Sequence, residues 1–381
     1  MVSTGLATRV SATAEALTIE WQHGGVSEFA SLWLRDNVRA DRDPHSGQRL
    51  IDIVDLPAAP RIRAAHAENG RVRIEWEGEA RPAAFELAWL AAQAAGGAAQ
   101  RPELHARLWL DGARLDARRD FASVELAAAR ADPSVRLAWL TRLTQDGIAF
   151  LRAVPCEACA ILDAVSLIGR VAETNYGLVF DVRSVAQPEN LAYSDSGLGL
   201  HTDNPYREPV PGFQALHALV TSPEGGDSLF ADGFALAAHL RDGAPDAFRL
   251  LTTTAVPFHY RSGDAELYAE RPLIQLSCDG RVTAVHYNNR SIAPLRVAAQ
   301  AAPAFYAAYR RLAALLREPR FQLRLKLTDG DLVVFDNQRV LHGRTAFTSA
   351  RYPRHLQGCY LTRDSVFSET GLLRRKLTEP S

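Results

Sequence analysis

The feature that most constrains this chain is how soon its strand-forming runs stop. ALTIEWQHGG, RVRIEWEGEA, GFQALHALV, RVTAVHYNN and GDLVVFDNQRVLH each carry a few apolar or alternating positions bounded by turn-forming residues. Many short strands with frequent Gly, Pro and Asp turns suit a mainly β fold with helices, a double-stranded β-helix (jelly roll), better than a doubly wound sheet. No G-x-G-x-x-G or P-loop sequence opens a helix, so the nucleotide-binding folds lose their main support.

Residues 1–119 read as a small β-rich N-terminal domain and residues 120–381 as a catalytic domain. Between Asp111 and Asp132 the text turns Ala/Arg/Glu-rich and helical, which puts the boundary near Asp120. With 381 residues, 47% of them hydrophobic, there is ample material for a buried core. The formal net charge of −1 and scattered basic residues argue against a nucleic-acid partner. No apolar run approaches the roughly 20 residues of a membrane span, and the first residues lack the blocks of a signal peptide. A bacterial cytoplasm is the expected location. The four cysteines are too scattered for a disulfide scaffold. Cys156 and Cys159 have C-x-x-C spacing but no second pair, and read as the start of a helix.

Chemistry concentrates in LGLHTDNPYREPVPG, Leu198 to Gly212. On a β-strand, residues i and i+2 share a face, so His201 and Asp203 would present an imidazole and a carboxylate side by side. Among the eleven histidines, His342 is the strongest third ligand, because it ends the hydrophobic strand of GDLVVFDNQRVLHGR. Two His and one carboxylate with open positions form the facial triad of non-haem Fe(II) oxygenases. The same set also suits Zn²⁺ in a hydrolase or lyase, and a non-catalytic binding protein is a further alternative. Arg354, on what reads as the next strand, could hold the far carboxylate of a dicarboxylate co-substrate bidentately, with Arg344 and Arg351 as the nearest substitutes. A second H-x-carboxylate, His66-Ala67-Glu68, runs into an Asn-Gly turn and reads as surface.

HTDNPYREPVPGFQALHAL, EGGDSLFADGF, FDNQRVLHGR and RHLQGCY, with SLWLRDN at Ser31 to Asn37, together resemble the γ-butyrobetaine hydroxylase and trimethyllysine hydroxylase family of Fe(II)/2-oxoglutarate dioxygenases. The resemblance covers most of the chain. It implies Fe(II) on His201, Asp203 and His342, 2-oxoglutarate on Arg354, dioxygen as co-substrate and a homodimer. It also implies an aromatic cage for a trimethylammonium group at Tyr176, Phe180, Tyr193 and Tyr360, because ring faces attract a cation that cannot donate hydrogen bonds. Many family members follow WLRDN with a zinc-binding cysteine cluster. WLRDNVRADRDPHSGQR has no cysteine, so no structural zinc is expected, and Asp41, Asp43 and His45 read as a solvated turn.

The substrate's other end is anionic in this family, and Asn190 falls where a carboxylate-binding amide belongs. Tyr206, Asn288, Asn289 and Arg290 add a hydroxyl, two amides and a guanidinium, more than one carboxylate needs. This pattern favours a phosphonate substrate, 2-(trimethylammonio)ethylphosphonate, hydroxylated at the carbon bonded to phosphorus, with γ-butyrobetaine hydroxylation as the alternative.

Overall fold

A computed structural model describes residues 7–94, 105–183, 197–347 and 354–378. Asn190, Tyr193 and Arg351 lie outside the described residues. The chain forms two compact units, residues 1–101 and 102–381. No helix among the described residues is long and apolar enough to cross a membrane.

In the first unit, β1 (Ala7–Ala12), β2 (Ala16–Trp21) and β3 (Val26–Ala30) form one antiparallel sheet, and β4 (Ile62–Glu68), β5 (Arg71–Trp76) and β6 (Ala83–Glu86) form another. Alternation builds its core: Leu17, Ile19 and Trp21 on β2 and Val72, Ile74 and Trp76 on β5 are buried, while the residues between them are more exposed. Asn69 and Gly70 close the β4–β5 hairpin with φ of 50° and 75°, the left-handed values that a two-residue hairpin turn requires.

The loop after the helix Ser31–Asp36 is tied by ion pairs. Arg35 reaches Asp41 at 2.5 Å and Glu79 at 2.8 Å, so Asp41 is a partly buried anchor and departs from the solvated turn read from the sequence. Asp43 accepts the backbone N–H groups of His45 and Ser46 at 3.1 and 2.7 Å, as a turn-forming Asp does.

The second unit begins before the Asp120 boundary read from composition. The Trp109 backbone N–H donates to Asp232 at 3.1 Å and its indole N–H to the Asp146 carbonyl at 2.8 Å. The segment ahead of Asp120 is thereby fastened into the second unit's interior. The Ala/Arg/Glu-rich change of text marks helices, not a domain edge.

The strands of this unit are β7 (Ser123–Glu125), β8 (Ile148–Arg152), β9 (Val171–Ala172), β10 (Phe180–Arg183), β11 (Leu198–His201), β12 (Phe213–Val220), β13 (Ser228–Asp232), β14 (Val256–Arg261), β15 (Glu266–Arg271), β16 (Ile274–Leu276), β17 (Val282–Val285), β18 (Leu323–Leu325), β19 (Leu332–Asp336), β20 (Val340–Arg344) and β21 (His355–Leu361). A seven-stranded sheet runs β10-β21-β12-β19-β8-β7 with β9 beside β21, and a four-stranded sheet runs β11-β20-β13-β18. Every pairing is antiparallel except β7 with β8. Two such sheets are consistent with the jelly roll expected from the sequence.

Alternation on β12 sorts its side chains between two environments. Phe213 and Ala215 pack with Trp139, Leu140 and Leu143 of the helix Pro133–Asp146, while Gln214 and Leu216 line an internal cavity. Phe150, Phe335 and Leu356 of the large sheet cluster with Phe230 and Val340 of the small one. That shared apolar layer makes a rigid base for the cavity.

Candidate active site

His201 and His342 meet because β11 and β20 are antiparallel neighbours and these two residues are directly opposed in register. Cross-strand partners on one face lie within side-chain contact, and the ring centroids here are 4.3 Å apart. Asp203 arrives differently. β11 ends at His201, so strand alternation does not aim the carboxylate. Instead the Asp203 N–H donates to the Asn337 side-chain oxygen at 2.7 Å, and the Asn337 amide donates back to the Asp203 carbonyl at 3.0 Å. Asn204 then turns the chain with a left-handed φ of 53°, a conformation that Asn tolerates.

The three ligand atoms lie within 4.8 Å of one another. His201 Nε2 is 3.1 Å from Asp203 Oδ1, and His342 Nε2 is 3.8 Å from Asp203 Oδ2. His201 Nδ1 sits 2.9 Å from the Gly199 carbonyl, which fixes its proton there and leaves Nε2 to a metal. Burial pushes the Asp203 carboxyl up, but His342, His201 and the Tyr360 hydroxyl at 2.9 Å outweigh it and hold the group well below the usual carboxylate range. Burial, then the neighbouring His201, pushes His342 down to about 3. A charged carboxylate and a neutral imidazole are the states that ligate. The donor set fits Fe(II).

A cavity of about 400 Å³ opens from these residues between the sheets. Arg354 lines it, nearly buried, with its Nη1 unpartnered and its guanidinium 5.6 Å from the Phe347 ring centre. Arg344, two residues beyond His342, stands over the same ring at 5.0 Å. Burial and Arg344 together lower Arg354 to about 10. The sequence offered these two arginines as alternatives, but the fold brings both to one place.

Tyr176, Phe180 and Tyr360 also line the cavity, with Phe180 6.3 Å from Tyr176 and 5.1 Å from Tyr360 between ring centres. A further ring, not read from the sequence, is Tyr260 on β14, 6.2 Å from Tyr176 and stacked 5.0 Å from Tyr206. Tyr206 therefore belongs to the aromatic wall. Its hydroxyl donates to Asn204 Oδ1 at 2.6 Å, which departs from the free anion donor expected of it.

The Tyr287 to Ser291 segment divides. Asn288, buried, and Arg290, exposed, line the cavity; no ion pair of Arg290 is found among the described residues, though the Asp203 charge acts on it. Asn289 is exposed and accepts the Tyr309 hydroxyl at 2.5 Å, outside the cavity lining, because successive residues here have no strand geometry to give them a common face. The Asn288 side-chain N–H donates to the Thr202 carbonyl at 3.2 Å, and the Tyr287 N–H to the Thr202 hydroxyl at 3.0 Å. The residue between the two metal ligands is thus bonded to the segment that carries Arg290.

Comparison with known proteins decides the family. Residues 112–360 match the model described as taurine catabolism dioxygenase TauD, TfdA family. The chain belongs to this family. Residues 8–91 match the γ-butyrobetaine hydroxylase-like N-terminal model. Over 95% of this chain and 94% of the relative, the sequence is 36% identical to a γ-butyrobetaine dioxygenase from Pseudomonas sp. strain AK-1. It is 27% identical to the human γ-butyrobetaine dioxygenase over 96% of each chain. A trimethyllysine dioxygenase from Meyerozyma guilliermondii is 25% identical over 96% of this chain and 95% of its own. The protein is an Fe(II)/2-oxoglutarate-dependent hydroxylase of the γ-butyrobetaine and trimethyllysine hydroxylase group.

Proposed function

We propose that this dioxygenase hydroxylates a small zwitterion with a trimethylammonium group at one end and an anion at the other. The observation that carries the reading is the presence, in one cavity, of a ring wall and a guanidinium that forms no ion pair among the described residues. Tyr176, Phe180, Tyr360 and Tyr260 offer the ring faces, and Arg290 the positive charge. A quaternary ammonium is held by ring faces through cation–π attraction, and an anion by a guanidinium through charge-assisted hydrogen bonds.

Iron held by His201, Asp203 and His342 would supply the redox chemistry by which dioxygen gives one oxygen atom to 2-oxoglutarate, released as succinate and carbon dioxide, and the other to a substrate C–H bond. The chain's own residues position the reactants. Arg354 is the anchor for the far carboxylate of 2-oxoglutarate, with Arg344 adding field for a dianion. Tyr360 joins the two halves of the site, since its ring faces Phe180 while its hydroxyl donates to Asp203 and helps keep that carboxylate charged. Distance from the cage to the triad selects the carbon, the second from nitrogen.

The anionic end distinguishes two substrates. γ-Butyrobetaine is favoured by the full-length likeness to the Pseudomonas enzyme and by the cavity itself, where Tyr206 donates to Asn204 and Asn289 lies outside, so fewer donors face the anion than three phosphonate oxygens would use. 2-(Trimethylammonio)ethylphosphonate is the second reading, favoured by Arg290, which forms no ion pair among the described residues; its second carbon from nitrogen is the one bonded to phosphorus. One reaction containing both compounds at equal concentration, with products read by mass, separates them. Predominant hydroxybutyrobetaine supports the first reading, predominant hydroxyphosphonate establishes the second, and hydroxylation of neither overturns the substrate class.

A further inference from the structure

We propose that Asn337 is a positioning residue for the metal centre, acting through the backbone of Asp203. Asn337 sits in the turn between β19 and β20 and is fully buried. Its side chain accepts the Asp203 N–H at 2.7 Å and donates to the carbonyls of Asp203 at 3.0 Å and Pro211 at 3.2 Å. Its own backbone N–H donates to the Gly212 carbonyl at 2.9 Å. An amide has one acceptor and a two-hydrogen donor on a rigid plane, so it answers a peptide N–H and C=O at once.

Among the described residues, no other backbone hydrogen bond holds Asp203. β11 has already ended and Thr202 is held by Tyr287 and Asn288, so the amide is what holds the Asp203 peptide groups themselves. The turn that carries Asn337 leads directly into β20, the strand of His342, so its amide ties Asp203 to the segment of a second ligand. His201 needs no such help, since strand pairing holds it.

Substitution of groups that orient a metal ligand commonly lowers metal affinity by roughly 10–100-fold. The test measures Fe(II) affinity anaerobically on folded, metal-free protein, independent of turnover. Asn337→Ala should weaken iron binding by roughly 10–100-fold, and Asn337→Asp at least as much, because a carboxylate would face the carbonyls of Asp203 and Pro211 with no donor. Val366→Ala, a buried apolar truncation in the C-terminal helix, serves as the stability control and should lose thermal stability while keeping wild-type affinity. Should Asn337→Ala fail to fold, Asn337→Gln, which keeps the amide but misplaces it by one methylene, is read the same way. Affinity within twofold of wild type in the folded Asn337 variant, or an equal affinity loss in Val366→Ala, would overturn the assignment.

Discussion

Two stretches of this chain place a carboxylate two residues after a histidine, and only one of them makes a metal centre. His66 and Glu68 lie on β4 in regular register with β5, both exposed. Their cross-strand partners are Arg73 and Arg71, the latter paired with Glu86, and among the described residues no third ligand atom converges with the pair. His201 and Asp203 straddle the end of a strand, in poorer geometry for alternation, yet they converge with His342. Spacing is therefore not what builds the site. The β11–β20 register brings two ligands together, and an amide fixes the third.

Reducing the second site to the first one's composition should have the largest effect. His342→Ala leaves a bare H-x-D, and succinate formation should fall at least about a thousandfold while circular dichroism stays native, since an effective oxygenase site needs all three ligands. Retention of a tenth of wild-type turnover would mean that two ligands suffice. Asp203→Glu comes next. At an exposed position one methylene matters little, but behind a fixed backbone it should misplace the carboxylate and weaken iron binding by roughly 10–100-fold, measured by anaerobic titration.

Acid provides an intermediate test of burial. His342 and His286 are both pushed down to about 3, chiefly by burial, against a value near 6.5 in an unfolded chain. Below pH ~6.5 the unfolded chain binds protons that the metal-free native protein refuses, so stability falls as pH drops toward 3. At pH 5 each histidine should cost about 2 kcal/mol relative to pH 7.5, read by urea unfolding of the metal-free protein. His286→Gln should remove about half of that loss. An unchanged slope would mean that His286 is protonated in the fold. The smallest expected effect is none: Arg71→Ala with Arg73→Ala should create no second iron site at His66 and Glu68, because the surface carboxylates nearby, Glu75 and Glu86, have no clamp to converge them on a metal. A gain of a second iron would make spacing sufficient after all.

What the sequence disclosed was chemistry, and what it hid was direction. The triad was legible because a ligand is a property of a residue type, and Arg354, Tyr176, Phe180 and Tyr360, named on the same ground, line one cavity with it. Asn337 was not, since Asn in FDNQRVLH reads as a turn former, and only the folded turn shows its amide facing Asp203. Tyr260 reaches the cavity on a hairpin whose placement no local pattern encodes. Asn289 and Arg290 are neighbours that part company because the segment is not a strand. Tyr206 was read as a donor to substrate, whereas its hydroxyl is already given to Asn204 two residues earlier. The domain edge was misplaced because helix-rich composition was taken for a boundary, while Trp109 ties the preceding segment to Asp232 and Asp146.

Iron content tests the comparison most directly. Wild type, Asp203→Ala and the double variant His66→Ala with Glu68→Ala would be reconstituted anaerobically, freed of loose metal and assayed for iron per chain. One iron in the wild type and in the double variant, with none in Asp203→Ala, is the predicted result. Iron lost from the double variant, or retained one per chain in Asp203→Ala, would contradict it.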